Sequence, residues 1–231
     1  MLHRRTLLLA ATAALALPAA AQTKVKIGII GSGKIGGTLA KLWAEAGYPV
    51  MISARNLDEV KQQAAGIGHG VQAGTPADAA AFGTVVLISV PFGALPQIGR
   101  DNAAALRGKV VLDTCNPYVS RDGDMAKEAL EKGTGVVDPT YLPGTRLVRA
   151  FNQISAAQLA SEAHRAGEKI GVPLAADDKA ALAIAIQLVT DAGFEPVVVG
   201  GLATAKSFDP GAAAYHTMTA KQLRETLGLK P

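Results

Sequence analysis

Val25-Lys26-Ile27-Gly28-Ile29-Ile30 runs directly into Gly31-Ser32-Gly33-Lys34-Ile35-Gly36, and behind it Leu39, Leu42, Trp43 and Ala46 recur at helical spacing. An apolar run, a glycine-rich stretch and an amphipathic pattern predict a strand, a tight turn and a helix. Gly31 permits the turn, Gly33 lets a pyrophosphate come close to the backbone, and Gly36 lets the helix pack against the strand. The free N–H groups and the positive dipole end of the helix then face the phosphates. A second strand, Pro49-Val50-Met51-Ile52-Ser53, follows one helix later. The segment therefore predicts the opening unit of a dinucleotide-binding, Rossmann-type domain.

The chain has 231 residues, 49% of them apolar and 4% aromatic. That suffices for one full α/β domain with a small appendage and is too little for two large independent domains. The formal net charge is +4; the first 22 residues hold Arg4 and Arg5, which leaves 21 basic side chains against 19 acidic ones. A near-neutral body without a basic stripe interleaved with aromatics excludes nucleic acid as a partner. Cys115 is the only cysteine, which excludes an intrachain disulfide and any multi-cysteine metal site. His3, His69, His164 and His216 are scattered without metal-ligand spacing, so no metal is assigned.

Residues 1–21 read as a separate leader. His3-Arg4-Arg5 precedes the apolar stretch from Leu7 to Leu17, then Pro18 and Ala19-Ala20-Ala21-Gln22, the order of a signal peptide cut after Ala21. The stretch is short for a bilayer span and lacks a charged stop-transfer flank. Arg4-Arg5-Thr6-Leu7-Leu8 is similar to a twin-arginine export signal. That route moves proteins already folded around a nucleotide loaded in the cytoplasm, so the expected location is the periplasm. The only expected membrane contact is the export signal. The rest is expected to divide into a cofactor-binding Rossmann domain over 22–150 and a C-terminal α/β portion over 151–231 that completes the sheet and covers the reaction site.

Beyond the first unit, short β-branched runs alternate with alanine-rich stretches, the pattern of a mostly parallel sheet doubly wound by helices. Strands are predicted at 71–73, 84–90, 109–113, 147–151, 170–176 and 195–200. Helices are predicted at 76–81, 96–106, 125–132, 155–165, 178–192 and 219–227. Ser155 and Asp177 read as helix N-caps.

The second strand ends Ile52-Ser53-Ala54-Arg55-Asn56. An NAD-type domain carries a carboxylate here for the ribose 2′-hydroxyl, whereas a 2′-phosphate needs cationic and hydroxyl donors. No carboxylate stands at this point, and Asp58 comes late enough to cap the next helix. Arg55 offers a planar guanidinium, and Ser53 and Asn56 offer further bonds, so NADP(H) is the expected cofactor. Ser89-Val90-Pro91-Phe92 lies where the dinucleotide passes toward its nicotinamide, the proline forcing the chain out of the sheet. Asp113-Thr114-Cys115-Asn116-Pro117 ends the fifth strand at the carboxyl edge where ligands of such sheets bind, which adds Asn116. Cys115 has no base beside it and reads as a small buried filler.

As a set, Ile29 through Gly36, Ala54-Arg55-Asn56, Ser89-Val90-Pro91-Phe92, Asp113 through Pro117, Val148-Arg149-Ala150-Phe151-Asn152 and Ala175-Ala176-Asp177-Asp178 resemble the NADPH-dependent coenzyme F-420 reductases. These are also called F-420-dependent NADP oxidoreductases, and the reductase domain of the STEAP metalloreductases is related to them. The resemblance implies that Ser32, Gly33, Lys34 and Ile35 hold the pyrophosphate and Arg55 the 2′-phosphate. It further implies that Val90, Pro91 and Phe92 hold the middle of the dinucleotide and the segment from Asn152 to Ala156 the nicotinamide. A deazaflavin (coenzyme F-420) or flavin would stack on that ring from the C-terminal side. Ala54 stands where the family usually carries a serine, and Lys206 and Asp209 stand near where an arginine and a glutamate are expected.

Hydride transfer between two such rings needs them held face to face with water excluded, and both redox groups belong to cofactors. No catalytic residue is assigned. Two alternatives stay open: a dehydrogenase or imine reductase for a small carbonyl substrate, and a non-catalytic exported NADP-binding module. The expected partner is a small-molecule redox acceptor, with a homodimer left open.

Overall fold

The computed structural model describes residues 24–230; the leader read over 1–21 lies outside the described residues. Strands β1 (Ile27–Ile30), β2 (Val50–Ser53), β3 (Gln72–Gly74), β4 (Val85–Ile88), β5 (Val110–Asp113), β6 (Arg146–Arg149), β7 (Gly171–Ala175) and β8 (Glu195–Gly200) form one sheet in the order β3-β2-β1-β4-β5-β6-β7-β8. From β3 to β6 all pairing is parallel. β7 then runs antiparallel to β6 through the pair Arg149 and Ala175, and β8 runs parallel to β7. Every residue of β1, β4 and β5 is buried, as central strands covered on both faces must be. The strand order reverses between β1 and β4, which opens a crevice at their carboxyl ends.

The helices are α1 (Lys34–Glu45), α2 (Leu57–Ile67), α3 (Pro76–Phe82), α4 (Leu95–Asp101), α5 (Ala103–Leu106), α6 (Val119–Lys132), α7 (Thr134–Tyr141), α8 (Ala156–Ser161), α9 (Lys179–Asp191) and α10 (Ala220–Thr226). Alternate strand residues point to opposite faces. Ile27, Ile29, Leu87 and Leu112 pack with Leu39 and Trp43 of α1 and Leu188 of α9. Ile30, Val86, Ile88 and Val111 pack with Ala79, Leu106 and Val137 on the other side. The Trp43 indole N–H donates to the Leu188 carbonyl at 2.9 Å, tying α1 to α9.

Several expected elements take a different form. The helix predicted at 96–106 breaks at Asn102, whose amide turns back to the Ile98 carbonyl at 2.9 Å. α6 starts at Val119 rather than Met125 and kinks at Gly123, φ 59. α7 was not expected at all. Its first residue, Thr134, is held through its N–H (2.8 Å) and its hydroxyl (2.6 Å) by the carboxylate of Asp209, 75 residues away. The cap of α9 is Asp178, which accepts from the N–H groups of Ala180 and Ala181. Asp177, expected in that role, instead accepts from the Leu202 N–H at 2.8 Å.

Candidate active site

At the end of β1 the chain turns on Gly31, φ 98, where a Cβ would lie 2.2 Å from the Ser89 carbonyl oxygen. The N–H groups of Gly31 and Ser32 both donate to the Ser53 carbonyl at 3.0 Å. The Ser32 carbonyl accepts from Gln63 Nε2 at 2.8 Å. β2 and α2 thus hold the turn in shape by themselves. Gly33 is the contrasting case: a Cβ built there meets nothing within 4 Å. It occupies the N-cap of α1, where no side chain caps the helix and no acidic residue lies in the first turn. Unpaired N–H groups and the positive end of the dipole face open space, which is the chemistry of a phosphate site.

Two clefts flank this helix end and share Gly33 and Lys34. The larger, about 680 Å³, follows the outer face of α1 past Thr38, Lys41, Gln63 and His164. The other, about 510 Å³, is lined by residues that follow β4, β5 and β6, the edge at which open α/β sheets bind ligands. It brings together Gly33, Lys34, Ile35, Ser89, Val90, Pro91, Asn116, Asn152 and Ala156 of the residues expected from the sequence. It adds Thr114, Tyr118, Arg121, Phe151, Gln153, Ile154, Ser155 and Tyr215. Gln153 to Ser155 lie within a segment already singled out and Thr114 lies beside Asn116. Tyr118, Arg121 and Tyr215 carry no local signal.

Other expected ligands are placed elsewhere. Ser53 is fully buried and its hydroxyl donates to the Ile29 carbonyl at 2.8 Å, so it braces β2 against β1 rather than meeting a phosphate. Asn56 is the cap of α2, the role expected of Asp58: its Oδ1 accepts from the Asp58 and Glu59 N–H groups, and its Nδ2 donates to Glu59 Oε1 at 2.7 Å. Phe92 is fully buried, edge-on to Tyr141 at 6.2 Å, so its ring serves the core and lines neither cleft. Ser32 borders only the larger cleft, while Gly31 and Gly36 shape the turn. Arg55 is exposed just past β2, with no hydrogen bond or ion pair among the described residues.

At the β6 end, Phe151 has φ 58, a left-handed conformation that costs a bulky residue about 1–3 kcal/mol. Its ring is buried edge-on to Trp43 and to Phe194, with centroids 6.1 Å away in each case. Burial contributes roughly 1.5–3 kcal/mol and each edge contact about 0.5–1.5 kcal/mol, which outweighs the strain. The next residue, Asn152, borders the cleft. Its Nδ2 donates to the Phe208 carbonyl at 2.9 Å, and its own carbonyl accepts from Asn116 Nδ2 at 2.7 Å. Asn152 Oδ1 is buried and has no partner.

Residues 26–117 match the family described as NADP oxidoreductase, coenzyme F420-dependent. The F420-dependent NADP reductase of Methanothermobacter thermautotrophicus is 29% identical, over 79% of this chain and 84% of that protein. A hypothetical protein of Sinorhizobium meliloti superposes with a TM-score of 0.72 at 24% identity, over 86% of this chain and 97% of the other. A protein of Arthrobacter sp. FB24 assigned as an F420-dependent NADP reductase superposes at 0.63 with 22% identity, over 79% and 88%. These two structures show the shared fold. The family segment carries the turn, β4 and β5, while Phe151, Asn152 and Tyr215 lie beyond it.

At the ends of β5 and β6 lies a buried charge cluster that carries no local signal in the sequence. Arg149, fully buried, donates to the Cys115 carbonyl at 2.9 Å. Its guanidinium is 3.1 Å from Asp113, 3.5 Å from Asp138 and 3.5 Å from Asp209. Burial alone would lower its pKa, and these carboxylates raise it above the ordinary value. One cation cannot keep three carboxylates ionised in dry surroundings. Burial, then the charge of Asp113, pushes Asp138 well above the usual carboxylate range, and both of its buried oxygens are without a hydrogen-bond partner. Burial and then Asp113 likewise push the Cys115 thiol up, which leaves it an inert filler.

Proposed function

We propose that this chain moves hydride between NADPH and a deazaflavin- or flavin-type acceptor in the cleft beside the ends of β4, β5 and β6. One observation carries the reading: the uncapped N-terminus of α1 and Asn152, whose buried Oδ1 has no partner, border the same cleft. The first suits a pyrophosphate. The second needs a donor, and the carboxamide N–H of a nicotinamide is one. A dinucleotide crosses the switch point of such a sheet in that direction, and the space a Cβ at Gly33 would fill is what close phosphate approach requires. Bound NADPH would supply the hydride.

The N–H groups at Gly33, Lys34 and Ile35 would hold the pyrophosphate, with the Lys34 ammonium beside it. Arg55, unpaired where an NAD-type domain carries a carboxylate, would take the 2′-phosphate. Asn152 would orient the nicotinamide, and Phe151 and Ile154 would keep water from it. The Methanothermobacter relative, by its name an F420-dependent NADP reductase, supports a deazaflavin acceptor.

The test is fluorescence titration of the chain with NADPH and NADH, then anaerobic mixing of the NADPH complex with coenzyme F420 or with FMN. Tighter binding of NADPH and its oxidation by one of the two ring acceptors are expected. Absence of nucleotide binding overturns the reading, and binding without oxidation by either ring overturns the acceptor. Periplasmic location is part of the proposal and rests on Arg4-Arg5. Arg4→Lys with Arg5→Lys should hold the protein in the cytoplasm, and undiminished export in cell fractionation overturns this part.

A further inference from the structure

We propose that Arg121 forms an anion subsite in the cleft that selects acceptors whose ring carries a phosphate-bearing side chain. The inference rests on the hydride-transfer reading above and narrows its acceptor: a flavin- or deazaflavin-type ring with a phosphorylated side chain is taken in preference to the same ring without phosphate.

The charge on the cleft wall has one sign. Among the described residues that line it, Lys34 and Arg121 are cations, and no aspartate, glutamate or histidine stands with them. Lys34 opens α1 directly after β1, on the pyrophosphate side, whereas Arg121 lies in α6 after β5. β4 separates those two strands, so their ends stand two strand spacings apart, roughly 10 Å. A pyrophosphate on the N-terminus of α1 answers the first cation, and the nicotinamide ring brings no negative charge to the second. Arg121 is therefore left for an anionic group on the other reactant.

The guanidinium is held in place from behind. Its Nε donates to the two Asp122 oxygens at 3.0 and 3.1 Å, and its Nη2 donates to Asp122 and to the Asn116 carbonyl, each at 2.7 Å. The Tyr118 ring lies 5.1 Å from the guanidinium carbon. Nη1, with two N–H donors, has no partner among the described residues. Asp122 also accepts from the Gly93 and Tyr118 N–H groups at 3.0 and 3.1 Å. Burial alone would raise its pKa, and these bonds, that of Arg121 first, hold it below the ordinary carboxylate value. The Asp122 side chain is 3% exposed and the Arg121 side chain 41%. The negative partner is thus enclosed and engaged by backbone donors, while the positive one faces the cleft with a free nitrogen. A guanidinium fixed in this way binds phosphate oxygens with little further ordering.

The full chain, saturated with NADP+, is titrated with two pairs of rings, each followed by its own fluorescence: FMN against riboflavin, and coenzyme F420 against its core deazariboflavin, which lacks the phosphate. In a pair that the chain accepts, the phosphorylated ring should bind about 10-fold more tightly, and KM in the reaction with NADPH should follow the same order. Arg121→Gln should erase that preference while keeping NADPH affinity, and Arg121→Lys should keep only part of it. If the unaltered chain reduces none of the four rings, the acceptor reading falls and this inference with it. If it reduces a ring and the phosphate gives no preference, this inference alone falls. A preference that survives Arg121→Gln overturns it too, as does a loss of NADPH affinity equal to the loss for the phosphorylated ring, which would put the guanidinium on the dinucleotide. Should Arg121→Gln fail to fold, a preference in Arg121→Lys equal to that of the unaltered chain overturns it.

Discussion

Gly33→Val should separate nucleotide binding from folding. A Cβ at this position meets nothing within 4 Å, and its backbone, φ −64 and ψ −166, is one that valine adopts. The exchange of cap residue costs about 1 kcal/mol, and a stiffer unfolded chain returns about 0.4–1 kcal/mol. The new methyl groups stand in the space before the first N–H groups of α1. In the unaltered chain, NADPH at about a hundred times its dissociation constant stabilises the folded state by about 2.7 kcal/mol. For a domain of this size each kcal/mol moves the melting midpoint by about 2–4 °C, so the ligand should raise it by about 5–10 °C. Gly33→Val should melt within about 3 °C of the unaltered chain and should not respond to NADPH. Gly36→Ala is the counterpart: its methyl would lie 2.1 Å from the Gly31 carbonyl oxygen, so it should melt lower without any ligand. Scanning calorimetry with and without NADPH reads all of this. An undiminished ligand response in Gly33→Val refutes the phosphate site, and a large loss of its ligand-free midpoint refutes the open space at Gly33.

Arg55→Ala should cost NADPH about 1.5–3 kcal/mol of binding and leave NADH unchanged; equal losses in titration calorimetry would contradict selection by the 2′-phosphate. Arg149→Met leaves Asp113 and Asp209 buried without their cation, and urea unfolding should show a loss of about 3–5 kcal/mol. A loss within error would contradict the guanidinium's role in holding this cluster together. Asp138 has a folded-state pKa above its unfolded one, so its contribution is fully present below the unfolded value and is lost as pH rises through the folded value. Asp138→Asn does not titrate, and should gain on the unaltered chain as pH is raised from acid to neutral. A stability difference independent of pH across that range would show that Asp138 does not hold the proton.

The opening unit was legible because most of its constraints are local: Gly31 turns the chain at φ 98, Gly36 lies against the Gly31 carbonyl, and β4 and β5 announce themselves as unbroken apolar runs. Ser53 and Asn56 misled for a physical reason. A hydroxyl or amide at a strand end looks the same in sequence whether it faces a ligand or the protein's own backbone, and here Ile29 and Glu59 take those bonds. α7 and the charge cluster were hidden because Asp209 reaches Thr134 and Arg149 only after folding. The same holds for Tyr215, which meets Tyr118 across 97 residues of chain.

The reversal between β6 and β7 rests on one paired position, Arg149 with Ala175, where neighbouring strands elsewhere form longer ladders. A seam so sparsely laced fixes spacing poorly by backbone alone. What spans it instead are side chains: Arg149 to Asp209 at 3.5 Å, Asn152 to the Phe208 carbonyl at 2.9 Å and Gln153 to the Gly171 carbonyl at 2.9 Å. Phe208, Asp209 and Tyr215 all belong to the far side of that seam, and two of these three ties reach it at or beside the cleft wall. Together with the bonds from Thr134 to Asp209 and between Tyr118 and Tyr215, these ties leave the width of the cleft on this side to side chains rather than to a backbone ladder.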